Sequence, residues 1–153
     1  MTITATEVSY QTISVKCYEG ELMKFFPKMF HEYYLKGESF FYQWMRGYCD
    51  NYDGGLWSFQ QLSNGGYFAE APPISGDLYH LRSPNGYEAN LSPHWTGLTI
   101  SLITLSFLSC DAYSDDDATT VLSNHLATQH LLLDEYLQQQ GKDIYLPIRR
   151  LLD

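Results

Sequence analysis

YDGGLWSFQQLSNGGYFAEAP, residues 52–72, decides the fold, because it sets a Gly-Gly pair on either side of a strand-like stretch. Over residues 56–62 the period is two. Leu56, Ser58, Gln60 and Leu62 oppose Trp57, Phe59 and Gln61, and each face is partly apolar, an imperfect strand alternation. Ser63-Asn64-Gly65-Gly66 predicts a hairpin turn, since Asn and Gly accept positive φ. Tyr67-Phe68-Ala69 begins the return strand, and Pro72-Pro73 must end it. Residues 78–82 and 87–91 predict a second hairpin about Ser83-Pro84-Asn85-Gly86. A small antiparallel sheet of about three or four strands follows.

Outside the hairpins the spacing becomes helical. Phe41, Trp44, Met45 and Tyr48 recur at three and four residues and predict a helix over 38–48, ending at the turn-rich CDNYDGG. Ser92-Pro93 is a helix start, with serine as N-cap and proline in the first turn. Residues 95–110 follow it as a helix sheltered on most sides, although Leu98 to Leu102 also alternate like a strand. Residues 118–140 place Leu122, Leu126, Leu133 and Leu137 on one face, with Asp115-Asp116-Asp117 at the positive end of the helix and Gly141 as its stop. Residues 145–152 should dock on the core. Residues 1–19 are polar and β-branched, an arm or edge segment, and residues 20–153 form the domain. The fold class is α+β: a single compact domain with a small antiparallel β-sheet packed with several α-helices.

Composition narrows the function. A chain of 153 residues with 44% hydrophobic content buries roughly 68–70% of its unfolded surface, so it folds. Thirteen tyrosines, eight phenylalanines and three tryptophans suit half-buried positions and interfaces. Eighteen acidic against nine basic residues give a net charge of −9, and the only adjacent basic pair is Arg149-Arg150. That balance argues against direct nucleic-acid binding. It also argues against imitation of DNA, which carries one charge per ≈ 1.7 Å of duplex; here Asp115-Asp116-Asp117 is the only acidic run of three. The N-terminus lacks the basic start and compact apolar stretch of a secretory signal. Residues 95–110 are too short to span a bilayer comfortably. Cys17, Cys49 and Cys110, without a CxxC, read as reduced thiols. A cytoplasmic protein with no membrane association is expected.

Residues for catalysis do not assemble. His31, His80, His94, His125 and His130 include no HExxH, and His125 and His130 are off a common helical stripe. Asp111, Asp115 and Asp117 lack the glycine and terminal glutamate of a calcium loop. Cys49 and Cys110 lie on or beside apolar segments, where buried thiols are inert, and no basic neighbour lowers a thiol pKa. No GxSxG elbow or phosphate loop occurs. Asp50, Asp53, Glu70 and Glu88 have nothing local to set one pKa above another. No catalytic residue, cofactor or metal is expected. The glycine pairs offer a presented edge instead: Asn51, Asp53 and Asn64 fix the turns, and Tyr52, Trp57, Tyr67 and Phe68 bring rigid aromatic surface beside them. The recognition candidates are Asn51, Asp53, Gly54, Gly55, Trp57, Ser63, Asn64, Gly65, Gly66 and Tyr67. The same residues also read as a tight hairpin with a packed face. Asp53 and Asn64 are expected at exposed turns.

The block Tyr52-Asp53-Gly54-Gly55-Leu56-Trp57-Ser58-Phe59, then Leu62-Ser63-Asn64-Gly65-Gly66, Phe68 and Ala71-Pro72, resembles the ArdB/KlcA antirestriction proteins of plasmids, mobile elements and bacterial genomes. Members carry a segment of the form YNGGxWxFYxLSNGGxFMAP. Phe25-Phe26-Pro27, Trp44-Met45 and the terminal Ile148-Arg149-Arg150-Leu151-Leu152-Asp153 extend the resemblance from about residue 20 to the end. Asp53 stands where asparagine is common, Gln60 where tyrosine is expected, and Glu70 where methionine is usual. The resemblance implies relief of type I restriction of incoming unmodified DNA at the protein level, without catalysis or cofactor. It implies a protein partner, either the type I restriction–modification complex or a host factor controlling it. Alternatives are a regulatory or structural interaction domain unrelated to restriction, and a hydrolase built on the scattered carboxylates and Cys49.

Overall fold

A computed structural model describes residues 11–112 and 117–153, with side chains from residue 120 onward in the second stretch. The first ten residues of the expected arm, and Asp115 and Asp116 of the acidic run, lie outside the described residues.

The chain enters through β1 (Val15–Cys17) and a 3-10 turn at Leu22–Lys24. Next come α1 (Phe25–Phe30), a second 3-10 turn at His31–Tyr33, and α2 (Tyr34–Tyr48). Two hairpins follow, β2 (Ser58–Leu62) with β3 (Tyr67–Glu70), and β4 (Tyr79–Arg82) with β5 (Glu88–Leu91). The chain closes with α3 (Pro93–Asp111), α4 (Asp117–Gln138) and α5 (Lys142–Leu152).

The expected α+β architecture holds, with the strands divided between two sheets. β1-β2-β3 form one antiparallel sheet in that order and β4-β5 a separate two-stranded one. β1 lies at the sheet edge with Val15 opposite Leu62 and Cys17 opposite Gln60. An isolated bridge from Cys49, just past α2, to Leu81 ties the end of that helix to β4. The side chain of Asn51 adds to it, donating to the Leu78 carbonyl at 3.2 Å and accepting from the His80 amide at 3.0 Å.

α3 is the centre of the core. Ser92 Oγ accepts from the Trp95 amide, with Pro93 in the first turn, so the helix starts where its cap predicts. Leu98, Ile100, Leu102, Leu105 and Leu108 are fully buried. Thr99, Ser101 and Thr104 are buried beside them, and each hydroxyl donates to the carbonyl four residues back, at 2.7–2.8 Å. Those bonds remove the desolvation cost of the hydroxyls and explain how a Ser/Thr-rich segment fills a core. Gly97 lets β3 lie directly on this helix: a Cβ there would fall 1.9 Å from the Ala69 carbonyl oxygen.

Other expectations shift at their edges. α2 begins at Tyr34, ahead of the aromatic pattern. Gly141 is not the left-handed stop of α4; at φ −66° it is the extended N-cap residue of α5. Cys110 is exposed on the outer side of α3, and among the three thiols only Cys49 is buried. The terminal segment docks as expected, with Ile148 and Leu151 buried. Asp134 of α4 holds it by an ion pair with Arg149 at 2.5 Å. No helix among the described residues is long and apolar enough to cross a membrane.

Candidate functional site

The two glycine pairs sit in different settings. At the second, the Gly65 amide donates to the Leu62 carbonyl at 3.0 Å and the Leu62 amide to the Gly66 carbonyl at 2.8 Å. Gly65 has φ 97°, the left-handed position of a tight hairpin that only glycine takes without strain. Around this turn almost every polar group is used internally. Asn64 accepts from the Gly66 amide at 3.0 Å and donates to the Leu132 carbonyl of α4 at 2.9 Å. Gln129 of α4 donates to the Gly65 carbonyl and accepts from the Tyr67 amide. On the other side the Ser63 amide donates to the Ser14 carbonyl, and Ser63 Oγ accepts from the Ser14 amide. Asn64 is therefore half-buried rather than exposed, because α4 supplies an acceptor for its amide.

The first pair does not bound the strand. Residues 52–57 form an irregular loop, and β2 starts only at Ser58. Gly54 and Gly55 have φ 80° and 126° and are exposed, as are Asp53 and Leu56. The loop is held by its aromatics. The Trp57 ring lies 4.8 Å from Phe41, 5.8 Å from Tyr42 and 5.9 Å from Tyr52, and its indole N–H donates to the Tyr52 hydroxyl at 3.2 Å. Trp57 is a half-buried anchor, and Asn51 is spent on the second sheet. Of the ten recognition candidates, Asp53, Gly54 and Gly55 form one exposed surface. Ser63, Gly65 and the half-buried Tyr67 belong to another, across β2.

Tyr67 opens onto a depression of about 440 Å³ shared with Lys24, Lys28, His31, His125 and Gln129. The His31 and His125 rings stack at 3.3 Å between centroids and 14° between planes. Burial, and then His31, hold His125 below the ordinary histidine pKa.

A second polar cluster was invisible in the sequence. His94, at the start of α3, sits 2.8 Å from Glu70 of β3 through Nδ1 and 2.9 Å from the Tyr136 hydroxyl of α4 through Nε2. Burial raises the Tyr136 pKa, so this hydroxyl keeps its proton at neutral pH and the cluster ties three elements together. Only the proximity of His94 to a helix N-terminus could have been read beforehand. Its partners lie 24 and 42 residues away. Gln129 had no sequence signal either. Among the described residues, no group of three or more His, Cys, Asp or Glu side chains could hold a metal ion. Burial pushes the Cys49 thiol up to about 12, which leaves it protonated and unreactive.

This α+β fold is shared with known proteins. A solved structure from work on the KlcA and ArdB proteins superposes with a TM-score of 0.72 at 27% identity, covering 90% of this chain and 96% of that one. That work describes a novel fold and antirestriction activity against type I DNA restriction systems in vivo but not in vitro. The antirestriction protein KlcA of Escherichia coli is 29% identical over 130 residues, 82% of this chain and 88% of KlcA. The uncharacterized protein YafX of E. coli strain K12 is 34% identical over 100 residues, 63% of this chain and 66% of YafX. The family model described as antirestriction protein matches residues 50–145, both glycine pairs included. The chain belongs to the antirestriction protein family.

Proposed function

We propose that this protein relieves type I restriction of incoming unmodified DNA by contacting a protein in the cytoplasm, without catalysis and without imitating DNA. The observation that carries this reading is the shared fold over 90% of the chain with proteins active against type I systems in vivo but not in vitro. An activity present in cells and absent in vitro fits a partner that the cell supplies, a host factor controlling restriction, better than the restriction complex alone. Net charge −9 without a contiguous acidic strip argues against both DNA binding and a DNA-like surface. The protonated, buried Cys49 weakens the hydrolase alternative, which depended on that thiol.

Plating of unmodified phage on isogenic hosts with and without a type I system tests the proposal. Expression should raise plating on the restricting host and leave the other unchanged. Equal plating with and without expression on the restricting host overturns it for that system.

A further inference from the structure

The depression beside Tyr67 is unusual for so acidic a chain. Its walls are the 3-10 turns at Leu22–Lys24 and His31–Tyr33, α1, the start of β3 and α4, and they bring two lysines and two histidines together with no Asp or Glu among the described lining residues. Lys28 is exposed and forms no ion pair among the described residues. Among the described residues Lys24 pairs only with Glu21, at 3.7 Å and with both side chains mostly exposed, an interaction too weakly held to neutralise it.

The histidines are placed at a cost. His31 has φ 48° and ψ −126°, a conformation that side-chain-bearing residues rarely adopt and that persists where the surroundings enforce it. Its ring lies flat on His125, whose Nε2 is within 3.1 Å of the Lys28 carbonyl and 3.2 Å of the Met29 carbonyl. Carbonyl oxygens only accept, so Nε2 carries the proton. Nδ1 of His125 remains for a proton or a donor outside the pair. Two stacked imidazoles resist becoming charged together, and an anion in the depression would relieve that resistance. Beside this polar floor, Leu22 and Met23 are 69% and 90% exposed on the turn that carries Lys24.

We propose that this depression is the docking site for an acidic, partly apolar segment of the protein partner, with a carboxylate seated between Lys28 and the His31–His125 stack and apolar side chains against Tyr67, Leu22 and Met23. The assignment rests on the reading above that the partner is a protein. Charge complementarity selects the occupant: a carboxylate-bearing segment meets Lys24, Lys28 and the two histidines here, on a chain whose net charge of −9 otherwise disfavours an acidic partner. A nucleic acid would need many phosphate contacts along a basic track, and two lysines do not make one.

The test uses the full chain, titrated with a short Glu/Leu peptide, a Gln/Leu peptide of equal length and a single-stranded oligonucleotide, followed by ¹⁵N–¹H spectra. The Glu/Leu peptide should shift the amides of Lys28, His31, Tyr67 and Gln129, and the Gln/Leu peptide should not. Lys28→Ala should weaken that binding about tenfold, the value of one charge-assisted contact, with an unchanged melting point. Lys142→Ala, which removes a distant exposed lysine, should leave the binding alone. Shifts elsewhere, no shifts, or a response to the oligonucleotide alone overturn the proposal. In cells Lys28→Ala should lose restriction relief in parallel. Full relief from a variant that no longer binds the peptide also overturns the site, while leaving the antirestriction reading standing. Failure of the unaltered protein to relieve restriction removes that reading, and the peptide titration still decides whether the depression binds acidic segments.

Discussion

Around Gly54-Gly55 the chain is held by rings, and around Gly65-Gly66 by hydrogen bonds. Trp57 packs the first loop against Phe41, Tyr42 and Tyr52, leaving residues 53–56 exposed. The second turn is clamped from both sides, by Ser14 and by Gln129 and Leu132 of α4. Edge-to-face ring packing stabilises without dictating where nearby backbone groups point, whereas each hydrogen bond fixes a direction. Two segments with the same glycine signature therefore differ in what they can offer a partner. The first presents an exposed polar edge beside a packed tryptophan, and the second presents Tyr67 from a turn that cannot easily change shape.

The largest expected effect breaks the support under the second turn. A methyl at Gly97 would stand 1.9 Å from the Ala69 carbonyl oxygen and 2.7 Å from Glu70 Cα. Both obstacles are backbone, so β3 must lift from α3. Gly97→Ala should lose about 3 kcal/mol in denaturant unfolding. Gly47→Ala is the matched control, since nothing lies within 4 Å of its added methyl in α2; it should gain up to about 1 kcal/mol from helix propensity. Equal behaviour of the two would mean that β3 does not rest on α3 as described.

Next comes the clamp itself. Asn64→Ala removes the acceptor for the buried Gly66 amide and the tie to Leu132. The cost should be about 1–2 kcal/mol in thermal or chemical melts. Restriction relief should fall only as far as the melt does, because the side chain faces inward.

That result bears on how much was legible in the sequence. Local rules found the second hairpin, the positive φ at Gly65, the Ser92-Pro93 start of α3 and the apolar stripe of α4, since each depends on residues within a few positions of one another. They missed what depends on remote partners. Asn64 reads as an exposed turn residue until Leu132, 68 positions on, supplies its acceptor. The four expected strands read as one sheet because hairpin signals specify pairs and not how pairs are joined. The Gly54-Gly55 pair reads as a turn bounding a strand, yet no strand precedes it to pair back; α2 does, and the bridge from Cys49 leads to β4 instead. The depression beside Tyr67 combines residues from five elements, and of these only Tyr67 adjoins a motif.

A smaller effect probes the α4 side of the clamp through pH. His125 and His130 both have pKa values held below the ordinary 6.5, chiefly by burial. The unfolded chain therefore binds protons at these sites before the folded one does. Their contribution to stability is complete above about 6.5 and is lost as the pH falls below it. The melting point should drop between neutral pH and about pH 5. The slope should be shallower in His125→Gln and shallower again with His130→Gln added. An unchanged slope would place the acid sensitivity in other groups.

The smallest expected change in stability belongs to Asp53, and it decides most about the first loop. Asp53 is exposed and enters no ion pair among the described residues, so Asp53→Ala should leave the melting point where it is. Trp57→Ala in the same loop should cost about 3 kcal/mol, because it removes a ring packed on three others. Any loss of restriction relief in that variant would follow from unfolding. Plating of unmodified phage then separates the two glycine regions. If Asp53→Ala abolishes relief at an unchanged melt, the exposed loop touches the partner, and the aspartate that replaces the family's usual asparagine adjusts that contact. If relief is intact in Asp53→Ala and lost in Lys28→Ala, the loop is scaffold and recognition lies across the sheet, in the depression onto which Tyr67 opens.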